Sequence, residues 1–176
     1  MIKNGMVHYY YGYGKGKTSA AAGSAIRAAG YGNRVMFVQF LKNTASGEIK
    51  ILDRIPGVTV LRGTGTDKFS ISMNDDEKDS VRRIHDGFLR EVLNAVEAHT
   101  ADVVILDELA DAVELGLADS GIVSNIIEKC RGNVELVITG HGPLQFFIDN
   151  ADYVTEMKKV RHPFDRGIRA REGVEY

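Results

Sequence analysis

The stretch Gly12-Tyr13-Gly14-Lys15-Gly16-Lys17-Thr18-Ser19 limits the possible folds of this chain more than any other. It stands between an apolar run, Met6 to Tyr11, and a segment of small and apolar residues, Lys17 to Ala29, that Gly30 is expected to stop. A strand, a glycine-rich turn and a helix in that order bring backbone N–H groups and a helix N-terminus to one point, and both attract phosphate oxygens. The pattern assigns Lys17 to the phosphates and the Thr18 hydroxyl to Mg2+, with Mn2+ as an alternative. Ordinary phosphate loops place four residues between the first Gly and the Gly-Lys pair. Here Gly12 and Gly16 enclose only Tyr13, Gly14 and Lys15, so the loop is one residue short unless Tyr11 takes the first place. A short loop with an added Lys15 is expected to hold a polyphosphate differently from an ordinary ATPase. The competing reading is a glycine-rich turn that binds nothing, which the strand and helix on either side disfavour.

The rest of the chain alternates strand and helix. Val35 to Phe40 and Val58 to Leu61 read as strands, with a short helix from Glu48 to Arg54 between them. A long helix follows Asn74, an N-cap with Glu77 three residues on, and carries Val81, Ile84, Phe88, Leu89, Val92, Leu93 and Val96 on one face. His85, beside Ile84, reads as a partly buried helix residue. Val103-Val104-Ile105-Leu106 is an unbroken apolar run, as in a central parallel strand covered on both faces. Ser120 to Lys129 reads as a helix, Leu136 to Thr139 as a strand, Leu144 to Asn150 as a helix and Tyr153 to Met157 as a last strand. The expected fold is α/β: a doubly wound, mostly parallel sheet of about six strands with helices on both faces, of the phosphate-loop NTPase or RecA-like type. A length of 176 residues predicts a single domain over 1–176.

Ile105-Leu106-Asp107-Glu108 ends an apolar strand in two carboxylates, which puts them at the carboxyl edge of the sheet where open α/β folds bind ligands. Either is placed to hold Mg2+ directly or through water. Gln39 and Lys42 stand at or just past the end of the second strand and are candidate ligand residues for the same reason. A formal charge of −2 gives no general field for nucleic acid. No run approaches the ~18 apolar residues of a membrane span. The start lacks the basic and apolar regions of a signal peptide, and Cys130 is the sole cysteine, so the cytoplasm is the expected compartment.

Beyond the loop, a series of segments resembles the phosphate-loop class of ATP:corrinoid adenosyltransferases over nearly the whole chain. These are Arg27 in Ala25-Ile26-Arg27-Ala28-Ala29-Gly30, Val38-Gln39-Phe40-Leu41-Lys42, Leu106-Asp107-Glu108-Leu109 and Ile138-Thr139-Gly140. The tail from Val160-Arg161-His162-Pro163-Phe164-Asp165-Arg166 through Gly173-Val174-Glu175-Tyr176 completes the series. The resemblance implies transfer of the 5′-deoxyadenosyl group of ATP to the cobalt of a reduced corrinoid, with release of triphosphate. It implies ATP contacts from Gly12, Tyr13, Gly14, Lys15, Gly16, Lys17, Thr18, Ser19 and Arg27, with Lys15 and Lys17 as catalytic charges. It further implies metal ligation by Thr18, Asp107 and Glu108, and a corrinoid side or lid from Gln39, Lys42, Phe69, Arg161, His162 and Asp165. A flavoprotein electron donor and a homodimer belong to the same expectation. Cobalt(I) is itself a strong nucleophile, and the chain contains no nucleophile-with-base motif. The nucleotide is expected to lie reversed, with its 5′ carbon facing the corrin.

Three departures accompany the resemblance. The first strand begins almost at once where many relatives have an N-terminal segment, so closure is expected from other loops. Thr66 to Met73 contains only Phe69 as an aromatic residue, and the chain has no Trp. His141 follows Thr139-Gly140 where an Arg is common. None of the five histidines stands in the Asp-x-His-x-x-Gly context that ligates cobalt elsewhere. The rival reading is a phosphate-loop NTPase or phosphotransferase that releases ADP and uses the same Lys17, Thr18 and acidic pair.

Overall fold

A computed structural model describes Ile2 and residues 4–42, 46–65 and 72–176. Six parallel strands lie in the order β3-β2-β4-β5-β1-β6. In chain order they are β1 (Val7–Tyr11), β2 (Val35–Gln39), β3 (Val58–Arg62), β4 (Val103–Asp107), β5 (Glu135–Thr139) and β6 (Tyr153–Glu156). The apolar runs of β2 and β4 are buried at every residue because both faces of the sheet are covered there. At the sheet edge, β6 is exposed throughout.

Helices α1 (Lys17–Gly30) and α2 (Gly47–Leu52) cover one face. Ala21, Ala22 and Ala25 let α1 approach Phe37, Ile105 and Val137 closely. The opposite face carries α3 (Asp75–Glu97), α4 (Leu109–Glu114), α5 (Ser120–Cys130) and α6 (Gln145–Asn150). Leu89, Val92, Ile126, Ile127 and Phe147 meet Tyr9, Val38, Leu106 and Ile138 in the larger core. Fully burying one such side chain contributes about 1.5–3 kcal/mol. None of the helices among the described residues is long and apolar enough to cross a membrane.

The long helix begins as its sequence predicts. Asn74 Oδ1 accepts from the Glu77 N–H at 2.9 Å, and Glu77 Oε2 accepts from the Asn74 N–H at 2.9 Å. This reciprocal cap satisfies two helix-end donors, and Asp75, Asp76 and Glu77 complement the helix dipole. His85 departs from the sequence expectation, being wholly buried rather than partly so. Its Nδ1 lies 2.9 Å from the Leu117 carbonyl, and its ring meets Phe40 and Phe88 edge-on or tilted. Burial lowers its pKa from the ordinary histidine value, and because the Leu117 carbonyl can only accept, Nδ1 is the donor.

Other differences are local. Helix α1 runs through Gly30, and the last turn closes on Tyr31 instead. Phe40 lies one residue past β2 yet stays in the core. Two short elements, α4 and a 3-10 helix at Pro163–Arg166, have no counterpart in the sequence reading. Each is too short for helical periodicity to register.

Sheet order determines where the loops meet. Helix α1 leaves β1 on one face and α6 follows β5 on the other, so the adjacent ends of β1 and β5 flank a switch point. Register brings Tyr10 beside Thr139 and Gln39 beside Asp107 at this carboxyl edge. The opposite edge is tied by Arg34, whose Nε and Nη2 each lie 2.9 Å from an Asp102 carboxylate oxygen. That pair joins the start of β2 to the start of β4, and the Arg34 hydrogen bond holds the Asp102 carboxyl down at about 2.

Candidate active site

The turn after β1 requires glycine for two separate reasons. Gly12 and Gly16 have φ of 115° and 121°, which side chains rarely adopt. A Cβ on Gly12 or Gly14 would lie 2.5 Å from the Met157 carbonyl oxygen. The close approach has a function, because the Gly14 N–H donates to Met157 O at 2.6 Å and the Gly12 N–H donates to His141 O at 3.0 Å. Two loop donors expected to face phosphate are thus engaged with the backbone after β5 and β6. The donors left for a ligand include those of the first turn of α1, which have no intrahelical acceptor.

Lys17 folds back over the loop, with Nζ 2.5 Å from Gly12 O and 3.1 Å from Gly14 O. Burial lowers its pKa from the ordinary lysine value, although Asp111, Glu108 and Asp107 oppose the shift. A charged phosphate oxygen is a stronger acceptor than either carbonyl.

Asp107 at the end of β4 is wholly buried and organises a second cluster. Its Oδ1 accepts from Thr139 Oγ1 at 2.8 Å and from Thr18 Oγ1 at 3.0 Å, and its Oδ2 accepts from Gln39 Nε2 at 3.2 Å. Thr139 Oγ1 also accepts from the Glu108 N–H at 2.8 Å, which fixes the turn between the two acidic residues. Glu108 takes a left-handed conformation with φ of 62°. Lys42 Nζ lies 3.0 Å from Glu108 Oε1, 3.3 Å from Thr18 Oγ1 and 3.5 Å from Asp107 Oδ2. Burial alone would lower the Lys42 pKa, but Asp107 and Glu108 outweigh it and the net shift is upward. Burial raises the Glu108 pKa, and the Lys42 charge works against that rise.

The chain's end returns to the loop. Lys15 Nζ donates to Val174 O at 2.9 Å and lies 3.3 Å from Glu175 Oε1. Glu175 is also held by Arg171, whose hydrogen bonds bring its carboxyl down to about 2. Tyr13 to Ser19, Glu108, Thr139, His141, His162, Val174 and Glu175 line a cleft of about 230 Å³. On the α4 side, His141 Nδ1 lies 3.0 Å from Asp111 Oδ2, and this bond raises the histidine pKa.

The structure therefore brings Tyr13, Gly14, Lys15, Gly16, Lys17, Thr18, Ser19, Glu108 and His162 to one cleft, with Gln39, Lys42 and Asp107 beside or beneath it. Gln39 is wholly buried under Asp107 instead of facing outward. Arg27 is exposed in the last turn of α1, roughly 15 Å along the axis from Lys17 at 1.5 Å per residue. Arg161 is exposed, and Asp165 pairs with Lys159 at 2.9 Å. Phe69 lies outside the described residues. Sequence reasoning missed Thr139 and Asp111 as site residues. The signals for the first were its place at a strand's carboxyl end and within the Ile138-Thr139-Gly140 segment of the resemblance.

A glycine-rich loop opening a helix beside β1, with an acidic strand end opposite, defines a phosphate-loop nucleotide-binding protein of the α/β class. The KaiC-like protein PH0186 of Pyrococcus horikoshii OT3 shares this fold, with a TM-score of 0.58 and 17% identity over 88% of this chain and 73% of that one. The family model for ATP:corrinoid adenosyltransferase BtuR/CobO/CobP matches residues 3–176, and the chain belongs to that family. Corrinoid adenosyltransferase CobA of Salmonella typhimurium is 31% identical over 99% of this chain and 87% of its own length. The corrinoid adenosyltransferases of Pseudomonas aeruginosa and Escherichia coli are 33% and 32% identical, each over 99% of this chain and over 85% and 87% of their own lengths. The chain is accordingly an ATP-dependent corrinoid adenosyltransferase, an enzyme of cobalamin synthesis.

Proposed function

We propose that residues 1–176 act as one domain that binds ATP with its triphosphate across Lys15, Lys17 and the first turn of α1, and presents the ribose 5′ carbon to a reduced corrinoid. The observation that carries this placement is the meeting of both loop lysines with Thr18 and Glu108 in a single cleft, where Thr18 Oγ1 also donates to the buried Asp107. The cobalt(I) electron pair forms the new bond to the 5′ carbon, the bond from that carbon to the bridging oxygen breaks, and the oxygen leaves with inorganic triphosphate. The protein supplies position and charge. Lys17 gives up the Gly12 and Gly14 carbonyls for phosphate oxygens, and Lys15 gives up Val174 and Glu175.

The residues present fit Mg2+. Thr18, Asp107 and Glu108 are hard oxygen donors, and the buried Gln39 Oε1 has no partner among the described residues, which leaves an acceptor for a metal-bound water. Thr18, Asp107 and Glu108 would hold the ion, whose chemistry is neutralisation of triphosphate charge. Arg161, His162 and Asp165 belong to a tail that closes over the nucleotide, supported by the contact of the tail's end with Lys15. A flavoprotein reductase as electron donor, a homodimeric assembly and a cytoplasmic location complete the reading. The location is supported by the lone thiol Cys130, which such a compartment keeps reduced.

The test is incubation with ATP, Mg2+, a reductant and cobalamin. The expected products are inorganic triphosphate and a light-sensitive alkylcobalamin in equal amounts. Release of ADP with no corrinoid requirement would overturn the reading in favour of a phosphotransferase or NTPase.

A further inference from the structure

We propose that the Lys42 ammonium occupies the divalent-cation seat formed by Thr18, Asp107 and Glu108, and gives it up only when Mg2+ arrives together with the triphosphate. The inference rests on the reading that these three residues are the metal's protein ligands. Lys42 Nζ lies 3.0, 3.3 and 3.5 Å from one oxygen of each. A magnesium ion held by the same oxygens would set a divalent charge beside that ammonium and compete for the same lone pairs, so the two cations exclude each other.

Three further observations fit an exchange. Asp107 is wholly buried, and a buried carboxylate without a counter-charge is strongly destabilising, so the seat needs a resident cation. Among the described residues no group of three or more His, Cys, Asp or Glu side chains is placed to hold a metal ion. Two carboxylates and a hydroxyl make a poor site for a free ion, and it becomes a good one once phosphate oxygens complete the shell. The backbone directs the lysine inward through Leu41, which has φ of 58°, just as φ of 62° at Glu108 aims the facing carboxylate. Two non-glycine residues in the left-handed region on opposite sides of one ion pair indicate a contact that the surrounding structure enforces.

The consequence is an order of binding. Free metal is refused and the metal–nucleotide complex is accepted, because only the complex provides enough negative charge to let Lys42 leave. Lys17 provides the control, since it lies near the same carboxylates but bonds to carbonyls instead. Removing Lys17 changes the local field without emptying the seat.

The experiment measures binding of Mn2+ alone by electron paramagnetic resonance of the free ion, without nucleotide or corrinoid, on variants whose melting curves match the parent. Lys42→Met is expected to bind Mn2+ roughly tenfold more tightly than the parent, while Lys42→Arg and Lys17→Met stay within about twofold of it. If the Met variant fails to fold, Lys42→Gln removes the same charge. Equal gains from Lys17→Met and Lys42→Met would reduce the effect to a general field and overturn the exchange, as would no gain from Lys42→Met. A parallel titration with tripolyphosphate tests the seat itself; because tripolyphosphate removes free Mn2+ unaided, it is read by water-proton relaxation enhancement, where the parent should give the enhanced signal of a protein-bound complex and Asp107→Asn should not. Binding in that titration combined with no gain from Lys42→Met would sink the exchange and leave the metal seat standing. The product assay for adenosyl transfer is independent of both.

Discussion

Lys17 follows β1 and Lys42 follows β2, and the two meet the same carboxyl edge in opposite surroundings. Around Lys17 the nearest acceptors are uncharged carbonyls, and burial lowers its pKa from the ordinary value. Around Lys42 the acceptors are carboxylates, and their charge more than offsets burial. One lysine is thus satisfied only by uncharged acceptors, whereas the other is already paired with two carboxylates. The difference separates the end of the proposed site that would take phosphate from the end that would take the metal.

The largest effect that tests this contrast is Lys17→Ala, expected to weaken ATP binding on the order of 100-fold in calorimetry, because the Lys17 ammonium lies over the loop at the Gly12 and Gly14 carbonyls. Undiminished affinity would refute the phosphate role. Thr139→Val comes next. It removes the bridge between Asp107 and the Glu108 N–H and should cost about 1–3 kcal/mol in denaturant unfolding, since it leaves a buried carboxylate with one donor fewer. A neutral result would mean that water replaces the hydroxyl there. Lys15→Ala should raise the ATP KM by roughly tenfold, and Glu175→Gln should lower it by no more than about twofold, because the tail's contact is exposed and easily lost. A larger gain from Glu175→Gln would make the tail a stronger competitor than its exposure implies.

The smallest effect lies away from the cleft, at the Arg34–Asp102 pair. The folded Asp102 pKa of about 2 is below the ordinary carboxylate value, so the pair stabilises the fold above that value and loses its contribution as pH falls toward 2. Arg34→Ala should therefore lower the melting temperature by about 3 °C at pH 7 and by progressively less as the pH approaches 2. Equal shifts at both ends of that range would show that the ion pair is not the cause. ATP binding should be unaffected, which separates the two edges of the sheet.

The periodic parts of the chain were readable without a structure. Alternating strands and helices, the cap at Asn74 and the apolar run of β4 each depend on neighbours within a few residues. The phosphate loop was equally visible, because glycine spacing and the Gly-Lys-Thr sequence are local. The tail was legible only as a charged segment. Its end returns to Lys15 across 159 positions of the chain, a contact that no local pattern encodes.

By itself the sequence determined the fold class, the loop and the acidic strand end, since propensity, glycine geometry and apolar periodicity act over short spans. Only the tertiary structure decided what surrounds them. The order β2-β4-β5 brings Gln39 and Thr139 to Asp107 from either side, and backbone returning after β5 and β6 takes the Gly12 and Gly14 N–H groups away from phosphate. The left-handed turn at Leu41 precedes Lys42, whose ammonium reaches Glu108, Thr18 and Asp107. Such neighbours come from separate strands and loops, and strand order is set by how whole layers pack rather than by the residues beside each one.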